Sequence, residues 1–306
     1  MNQARVGTLA AATAALAFGT APVATAFQLR SFDVVPAAMW RATVGALGLA
    51  TILLIRKRAG AEVGTMPGRR GLARLLMLGV LGGPVFLFGL NTAVSEVGAS
   101  ISGLVTGLYA VFAAAVAPFI LKERLEKSAL TGLVLAVIGT VMLAALDVSG
   151  VSVGGLVAGV GAAVGYSLYI VLGRKWMDAF ALPPDGVALS AASTTVVTFF
   201  AWLAVSDPGA LWPDALRADA LIALLWLGAV MAGGQTLVMM SARRIHSRRS
   251  AAWLLLNPVS AAVLGVAVLD ESLSLPQVAG AVVVLAGLAL GAGLARSFVE
   301  RLALRR

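Results

Sequence analysis

The sequence predicts an all-α polytopic membrane protein whose ten transmembrane helices form two inverted five-helix repeats. Three observations lead to this prediction. The chain is 60% hydrophobic and only 12% charged, with a mean hydropathy of +0.96, whereas a soluble domain carries about 25% charged residues. The second half of the chain repeats the first. The Lys and Arg residues are distributed unevenly between alternate loops.

Long apolar runs mark the candidate spans. A helix needs about 20 predominantly apolar residues to cross the hydrocarbon core of a bilayer. We count ten such runs, at about 6–28, 34–55, 72–94, 98–121, 128–146, 151–173, 186–205, 219–241, 250–269 and 276–295. The seventh run is the least apolar, because several Ser and Thr residues lower its hydropathy.

An internal duplication organises these spans. Setting Glu123 on Glu271 gives an offset of 148 residues, about half of the 306-residue chain. Among the identical pairs at this offset are Leu121 with Leu269, Glu123 with Glu271, Leu125 with Leu273, Gly132 with Gly280 and Gly139 with Gly287. A repeat defines the architecture before individual elements do. We therefore predict a first repeat over residues 1–147 and a second over 148–306.

The positive charges predict the orientation. With the N-terminus in the cytoplasm, all 23 Lys and Arg residues except Arg30, Arg41 and Arg217 fall in cytoplasmic segments, as the positive-inside rule requires. We expect a multi-pass protein of the cell (inner) membrane with both termini cytoplasmic. The net charge of +9 then reports topology and contact with anionic lipid, and no nucleic-acid partner is expected.

Each repeat has an odd number of predicted spans, so the second repeat enters the membrane in the opposite direction to the first. Inverted repeats of this kind are typical of alternating-access transporters, which hold the substrate near the midplane between the halves. We expect a cavity lined by spans 1, 3, 4, 6, 8 and 9. Spans 5 and 10 would be peripheral and pack against lipid or a second subunit.

Short motifs lie at characteristic places in both halves. They are Phe18-Gly19, Pro36 with Trp40-Arg41, Leu121 to Leu125 (LKERL), Leu256 to Val259 (LNPV), Leu269 to Leu273 (LDESL) and Gly280. In this order they resemble the EamA-type branch of the drug/metabolite transporter superfamily over essentially the whole chain. The resemblance implies a secondary transporter that exports small metabolites, most commonly amino acids or related amphipathic solutes.

Polar and aromatic side chains within the apolar spans are the candidates for substrate binding. A polar group that faced lipid would be left unsatisfied, so these residues are expected to face the bundle interior. They are Arg41, Asn91, Tyr109, Tyr166, Tyr169, Gln235, Trp253 and Asn257. Hydrogen bonding between helices is the alternative interpretation of each.

Arg41 is the one formal charge well inside a span. An intramembrane Arg is costly and indicates a functional site, here a clamp for a substrate carboxylate or phosphate, to which a guanidinium is well matched. The alternative is a structural cation that snorkels outward or pairs with Asp33 or Glu96.

Two further groups have structural or gating interpretations. Gly82-Gly83-Pro84 in span 3 and Gly233-Gly234 in span 8 are predicted to interrupt corresponding helices and to act as hinges. Glu123 and Glu271 lie at helix junctions, where a carboxylate can cap the N–H groups that open the next span.

Enzymatic chemistry finds no support in the sequence. The chain has no Cys and a single His, His246, in a basic loop, and no acidic residue lies deep in a span. A base, a nucleophile and metal ligands are therefore not assembled, and no cofactor or metal is expected. The remaining alternative is a membrane-embedded scaffold or a channel-like protein without alternating access.

Coupling and partners follow from the same residues. Asn257 stands where many relatives carry a carboxylate before the proline, and no other buried carboxylate is available as a proton relay. We therefore favour facilitated diffusion or exchange over strict proton antiport. The expected partners are a small-molecule substrate and the lipid bilayer, with the protein a monomer or a homodimer.

The predicted topology can be tested directly, because the chain contains no Cys and each introduced thiol is unique. We expect Ser149→Cys to react with a membrane-impermeant maleimide added outside intact cells, and Ser247→Cys to react only from the cytoplasmic side. Labelling of both positions from the same side would contradict the ten-span arrangement.

Overall fold

The computed structural model describes residues 3–60, 68–122, 127–145, 152–244 and 256–291, and every regular element in these ranges is helical. This confirms the all-α prediction. The first half contains α1 (Gln3–Gly19), α2 (Ala21–Gln28), α3 (Val34–Arg58), α4 (Arg69–Val80), α5 (Phe86–Thr106), α6 (Tyr109–Leu121) and α7 (Lys127–Ala145). The second half contains α8 (Val153–Ala179), α9 (Pro184–Ser206), α10 (Ala218–Arg244), α11 (Leu256–Leu269) and α12 (Leu275–Gly291).

Six helical segments of the described residues are long and apolar enough to cross a membrane. They are Arg5–Gln28, Val34–Arg58, Arg69–Leu121, Val153–Ala179, Pro184–Ser206 and Ala218–Ser241. Shorter apolar helices occur at Leu130–Gly139, Asn257–Leu269 and Leu275–Gly287. The lengths and composition of these helices suit a multi-pass membrane protein.

The segment Arg69–Leu121 has 53 residues. As one straight helix at about 1.5 Å per residue it would be roughly 80 Å long, more than twice the thickness of a hydrocarbon core of about 30 Å. The helix breaks at Gly98, whose φ of 78° and ψ of 172° belong to a region that only glycine adopts at low cost. The segment is therefore not one straight helix, and its sharpest break is at Gly98, inside α5.

Three further interruptions lie in the first half. Span 1 divides at Thr20, where the Trp226 indole N–H donates to Thr20 Oγ1 at 2.8 Å. A π-helical turn over Leu81–Val85, which includes Pro84, joins α4 to α5. A turn at residues 107–108 separates α5 from α6. Proline lacks the amide N–H that a regular helix needs, which accounts for the distortion at Pro84.

The second-half helix α10 shows no matching interruption. It runs for 27 residues without a break, through both Gly233 and Gly234, so the expected break there is wrong. A mid-helix Gly costs only about 1 kcal/mol relative to Ala, which packing readily offsets. A Cβ at Gly234 would lie 3.1 Å from Cε2 of Phe18, so this glycine gives the Phe18 ring room against the helix.

The two halves are interleaved. α1 packs on α10 and α11, and α8 packs on α5 and α6. α9 packs on α3 and α4. Most helices of one half therefore find their main neighbours in the other half, and the centre of the bundle is built by both.

α7 and α12, the helices of predicted spans 5 and 10, pack chiefly against each other. The sequence had led us to expect lipid or a second subunit as their neighbour. A Cβ at Gly139 would lie 2.6 Å from the Val284 amide nitrogen, and one at Gly287 would lie 2.5 Å from the Ala136 amide nitrogen. Gly139 and Gly287, like Ala136 and Val284, are equivalent at the repeat offset. As the numbering rises along α7 it falls along α12, so the two helices are antiparallel.

The ends of α6 and α11 also match. Lys122 has φ 57° and Asp270 has φ 54°, in the left-handed region, and these two positions are again equivalent at the repeat offset. A non-glycine residue seldom adopts this conformation. The same local backbone is therefore preserved immediately before Glu123 and Glu271.

The contact between α7 and α12 gives a test of packing. We expect Gly139→Ala and Gly287→Ala each to lower the free energy of unfolding by about 1–3 kcal/mol, because the added methyl meets backbone atoms that have no rotamer to change. Denaturant titration in mixed micelles would measure this.

Gly161→Ala is the matched control, since a Cβ there meets nothing within 4 Å. A helical Gly replaced by Ala in open space should be neutral or slightly stabilising. Equal stability of all three variants would show that the glycine contacts do not determine the packing.

Candidate functional site

Five aromatic rings meet at the centre of the bundle beside the interruptions of the first half. Tyr166 on α8 is the hub, with ring centroids 4.4 Å from Phe86, 5.1 Å from Tyr109, 5.3 Å from Tyr169 and 6.2 Å from Phe18. We call these five residues the aromatic cluster. Phe18 precedes the break between α1 and α2, Phe86 follows the π-helical turn and Tyr109 opens α6. Both halves contribute to the cluster.

Two hydroxyl groups of the cluster have no hydrogen-bond partner. Tyr166 is 1% exposed and Tyr169 is fully buried, and neither Oη has a hydrogen-bond partner in the part of the chain that the structure describes. A buried polar group left unpaired costs about 1–3 kcal/mol. Burying these hydroxyls therefore lowers the stability of the protein, and their capacity to form hydrogen bonds is unused among the described residues.

Arg41 is buried in α3 at 1% exposure, and its Nε and Nη1 atoms have no hydrogen-bond partner among the described residues. It does not snorkel, and it pairs with neither of the acids considered from the sequence. Glu96 instead accepts a hydrogen bond from Ser152 Oγ, and Asp33 is exposed.

The side-chain amides of Asn91 and Gln235 each donate to a main-chain carbonyl. Asn91 Nδ2 donates to Val34 O at 3.0 Å, and Gln235 Nε2 donates to Gly82 O at 3.2 Å. Their oxygens, Oδ1 and Oε1, are buried without a partner. Each amide thus joins two helices, as the alternative interpretation expected, and still has one group free.

Tyr109 and Asn257 are equivalent positions of the two repeats and contact each other. Asn257 Nδ2 donates to Tyr109 Oη at 3.5 Å, across a sequence separation of 148. Asn257 therefore reaches the aromatic cluster through Tyr109. Trp253, another predicted substrate-binding residue, lies outside the described residues.

The π-helical turn forms one wall of the cluster. A Cβ at Gly82 would lie 2.5 Å from Cδ2 of the Tyr169 ring, so only a glycine lets this ring pack against the turn. Gly83 approaches the Ala191 carbonyl of α9 in the same way. Gly82, Gly83 and Pro84 therefore lie where a distortion borders the site, and their gating role stays a prediction.

Glu271 is a cap, but for a different helix from the one predicted. Its Oε1 accepts from the Ala99 N–H at 2.6 Å and its Oε2 from the Ser100 N–H at 2.8 Å. These N–H groups follow the break at Gly98 in the first half, whereas the sequence favoured the span that follows Glu271. The other predicted junction acid, Glu123, lies outside the described residues.

Several buried aromatic and polar residues were not among the predicted site residues. Phe18 and Phe86 were not chosen, although they complete the aromatic cluster. Thr25 and Gln28 are fully buried on α2, and Gln28 Nε2 donates to Ala37 O at 2.9 Å. Two polar residues three apart in an apolar span share a helix face, and that spacing was an available signal.

A separate cavity of about 420 Å³ lies between the start of α3 and the segment after α9. It contains none of the predicted substrate-binding residues. Its lining is Ser31, Phe32, Asp33, Pro36, Asp207, Gly209, Ala210, Trp212, Pro213 and Asp214. Among the described residues, no group of three His, Asp or Glu side chains could hold a metal ion.

Comparisons with known proteins agree with the repeat. The model of the EamA-like transporter family matches residues 5–145 and again 153–292. A solved crystal structure, 21% identical in sequence, superposes with a TM-score of 0.65 and covers 95% of this chain and 98% of its own. At that identity the likeness shows the fold alone. No curated protein matches the chain.

The cap formed by Glu271 gives a second stability prediction. We expect Glu271→Gln to lower the free energy of unfolding by about 1–3 kcal/mol, because the amide –NH₂ that replaces one carboxylate oxygen cannot accept a main-chain N–H. Unfolding in mixed micelles would measure the loss.

Asp270→Asn is the control for Glu271→Gln. It removes the same charge from the neighbouring exposed position, and Asn tolerates the left-handed conformation found there. Its effect should stay within about 0.5 kcal/mol. Equal losses in both variants would mean that only the net charge matters.

Proposed function

The chain belongs to the EamA-like transporter family, whose members are membrane transporters rather than enzymes, and from this premise we propose that it exports amino acids or related amphipathic solutes by alternating access. Its partners are accordingly a small-molecule substrate and the membrane. The observation that most supports the proposal is the buried aromatic cluster, to which both halves contribute rings and in which two tyrosine hydroxyls lack a hydrogen-bond partner among the described residues.

The proposed architecture is ten spans in two inverted five-helix repeats. The break at Gly98 supports counting Arg69–Leu121 as two spans. The antiparallel contact of α7 with α12 supports the inversion, because equivalent helices of inverted repeats run in opposite directions. The positive-inside distribution of charges supports the proposal that both termini lie in the cytoplasm and that the membrane is the cell inner membrane. The proposed repeat boundary stays between residues 147 and 148.

The proposed binding site comprises the candidate residues of the sequence analysis. The tyrosines Tyr109, Tyr166 and Tyr169 supply aromatic faces and hydroxyls. Arg41 and Gln235 supply a buried charge and an amide from opposite halves. Asn91, Asn257 and Trp253 remain candidates at the edge of this set.

Alternating access requires contacts between the halves that open in turn at the two membrane faces. Arg30 pairs with Asp219 at 2.8 Å near the predicted outer face. Arg56 pairs with Asp185 near the predicted inner face. Each pair joins a first-half residue to a second-half residue. We propose that one of the two opens when the site faces that side.

The proposed coupling is facilitated diffusion or exchange. Proton antiport needs a titratable group that meets the substrate or its path, and each Asp or Glu of the described residues is exposed, ion-paired or hydrogen-bonded away from the aromatic cluster. Transport in liposomes with and without a pH gradient distinguishes these modes.

A cysteine at position 235 tests the mechanism. In Gln235→Cys we expect a membrane-impermeant thiol reagent to react from either side of the membrane in turn, and substrate to slow the reaction. Simultaneous access from both sides would indicate a channel. No reaction under any condition would indicate that Gln235 only packs.

Gln235→Ala should change the substrate preference or the KM of transport in liposomes loaded with a metabolite panel, because it removes an amide that adjoins the cluster. Val134→Ala is the matched control: Val134 is 52% exposed on α7 and faces away from the site, so its kinetics should be those of the unmodified protein.

A further inference from the structure

The first turns of α4 carry three arginines that have no counter-charge in the described part of the chain. Arg69, Arg70 and Arg74 are all exposed, and none of them forms an ion pair with a described residue. The two arginines at the predicted outer face, by contrast, share Asp219. α4 therefore begins in a concentration of positive charge that the described residues do not neutralise.

This arrangement of charge opposes the stability of α4 on its own. Arg70 and Arg74 are four residues apart, so their side chains lie on one helix face and repel each other. The N-terminal end of a helix also carries a partial positive charge, which favours anions. The first turn of α4 has no acidic residue, and Gly68 before it has no side chain to cap the helix. An anion from outside the chain would stabilise this end of the helix.

An apolar stripe follows these arginines along the outer face of the same helix. Its members are 46%, 53%, 46% and 42% exposed and are, in order, Leu72, Leu76, Met77 and Val80. Leu76 and Val80 come about two and three helical turns after Arg69, so they lie on the same side of the helix as Arg69. Positive charge at one end of an apolar stripe matches an anionic lipid, which has a charged headgroup and apolar chains.

The position of Arg74 is fixed by a neighbouring helix. Its guanidinium carbon lies 4.9 Å from the centroid of the Trp176 ring on α8, and Trp176 is only 7% exposed. A cation over an aromatic face is attracted by the ring, while the N–H donors at the edge of the guanidinium stay available to a phosphate. The edge between α4 and α8 therefore presents an ordered donor beside Arg70.

We propose that Arg69, Arg70 and Arg74 bind the phosphate of an anionic phospholipid, and that the acyl chains of this lipid pack along Leu76 and Val80. The net charge of the chain by itself implies only a diffuse attraction to anionic lipid, whereas these side chains define one saturable site. The apolar stripe favours a lipid over a soluble phosphate, because it continues from the charged end along the membrane-facing side of the helix. Binding here does not require the proposed transport function.

The test titrates phosphatidylglycerol into the purified full-length protein in neutral detergent micelles, with phosphatidylcholine as the lipid of no net charge. The unfolding temperature is measured at each concentration. We expect phosphatidylglycerol to raise it saturably, because a ligand that binds only the folded state stabilises that state, and phosphatidylcholine to bind at least about tenfold more weakly. No rise with phosphatidylglycerol, or an equal rise with both lipids, would overturn the proposal.

Single-charge variants assign the binding to the named site. Arg70→Gln should weaken phosphatidylglycerol binding about fivefold, the factor that corresponds to one basic residue near an anionic headgroup. Lys122→Gln is the matched control, because Lys122 is exposed at the end of α6, and its affinity should stay within about twofold of that of the unmodified protein. Equal weakening in both variants would mean that the whole charged face attracts lipid and that no site exists on α4.

A double variant separates lipid binding from a direct contribution of the arginines to folding. Without anionic lipid, Arg69→Gln/Arg70→Gln should be at least as stable as the unmodified protein, because it removes like charges from the start of a helix. With phosphatidylglycerol it should be the less stable of the two. A loss of stability without lipid would show that these arginines support the fold themselves, and the proposal would be wrong.

Glycerol phosphate distinguishes a lipid from a soluble phosphate as the occupant. It carries a phosphate monoester without acyl chains, so it should stabilise the protein at least about tenfold more weakly than phosphatidylglycerol does, since the apolar contacts are lost. Equal affinity for both would mean that the arginines bind a soluble anion and that the lipid is not the ligand. A transport assay in which no solute is carried would contradict the proposed function and leave these binding measurements unchanged.

Discussion

The hydrocarbon core of a bilayer offers no hydrogen-bond partner, so every main-chain group that a helix break releases has to be paired inside the protein. This chain breaks its first-half helices and pairs the breaks with second-half side chains. The main-chain pairs are Gln235 with the Gly82 carbonyl and Glu271 with the Ala99 and Ser100 N–H groups. At the break in span 1, Trp226 donates to the side-chain hydroxyl of Thr20. Without the second half, these first-half groups would lack hydrogen-bond partners. The fold therefore requires the helices of the two halves to interleave.

The position of the site follows from these breaks. A continuous helix presents side chains at regular intervals, whereas a break changes the direction in which the next side chain points. Phe18, Phe86 and Tyr109 each lie beside such a change, and they converge on Tyr166 of the unbroken helix α8. The first half, whose helices are interrupted, thus supplies close contacts such as that at Gly82. The second half supplies the uninterrupted helices against which those contacts are made.

The sequence was sufficient for the helical class, the family and the repeat, because apolar runs and paired motifs are local patterns. It also indicated the distortion at Pro84, where a missing N–H has the same consequence in any surroundings. It was misleading at Gly234, because an intrinsic helix penalty of about 1 kcal/mol is smaller than the effect of packing. The helix capped by Glu271 lies 171 to 172 residues away, and a local rule assigns a cap only to its neighbour.

The contact between Tyr109 and Asn257 joins the same position of both repeats. If the repeats were two separate copies of one chain, that position would face its own duplicate across the symmetry axis. Only a residue complementary to itself would fit there, since an isologous interface repeats every contact. Joining both copies in one gene removes this restriction. A phenol and an amide can then meet at equivalent positions of the two repeats, and this contact can become chemically asymmetric.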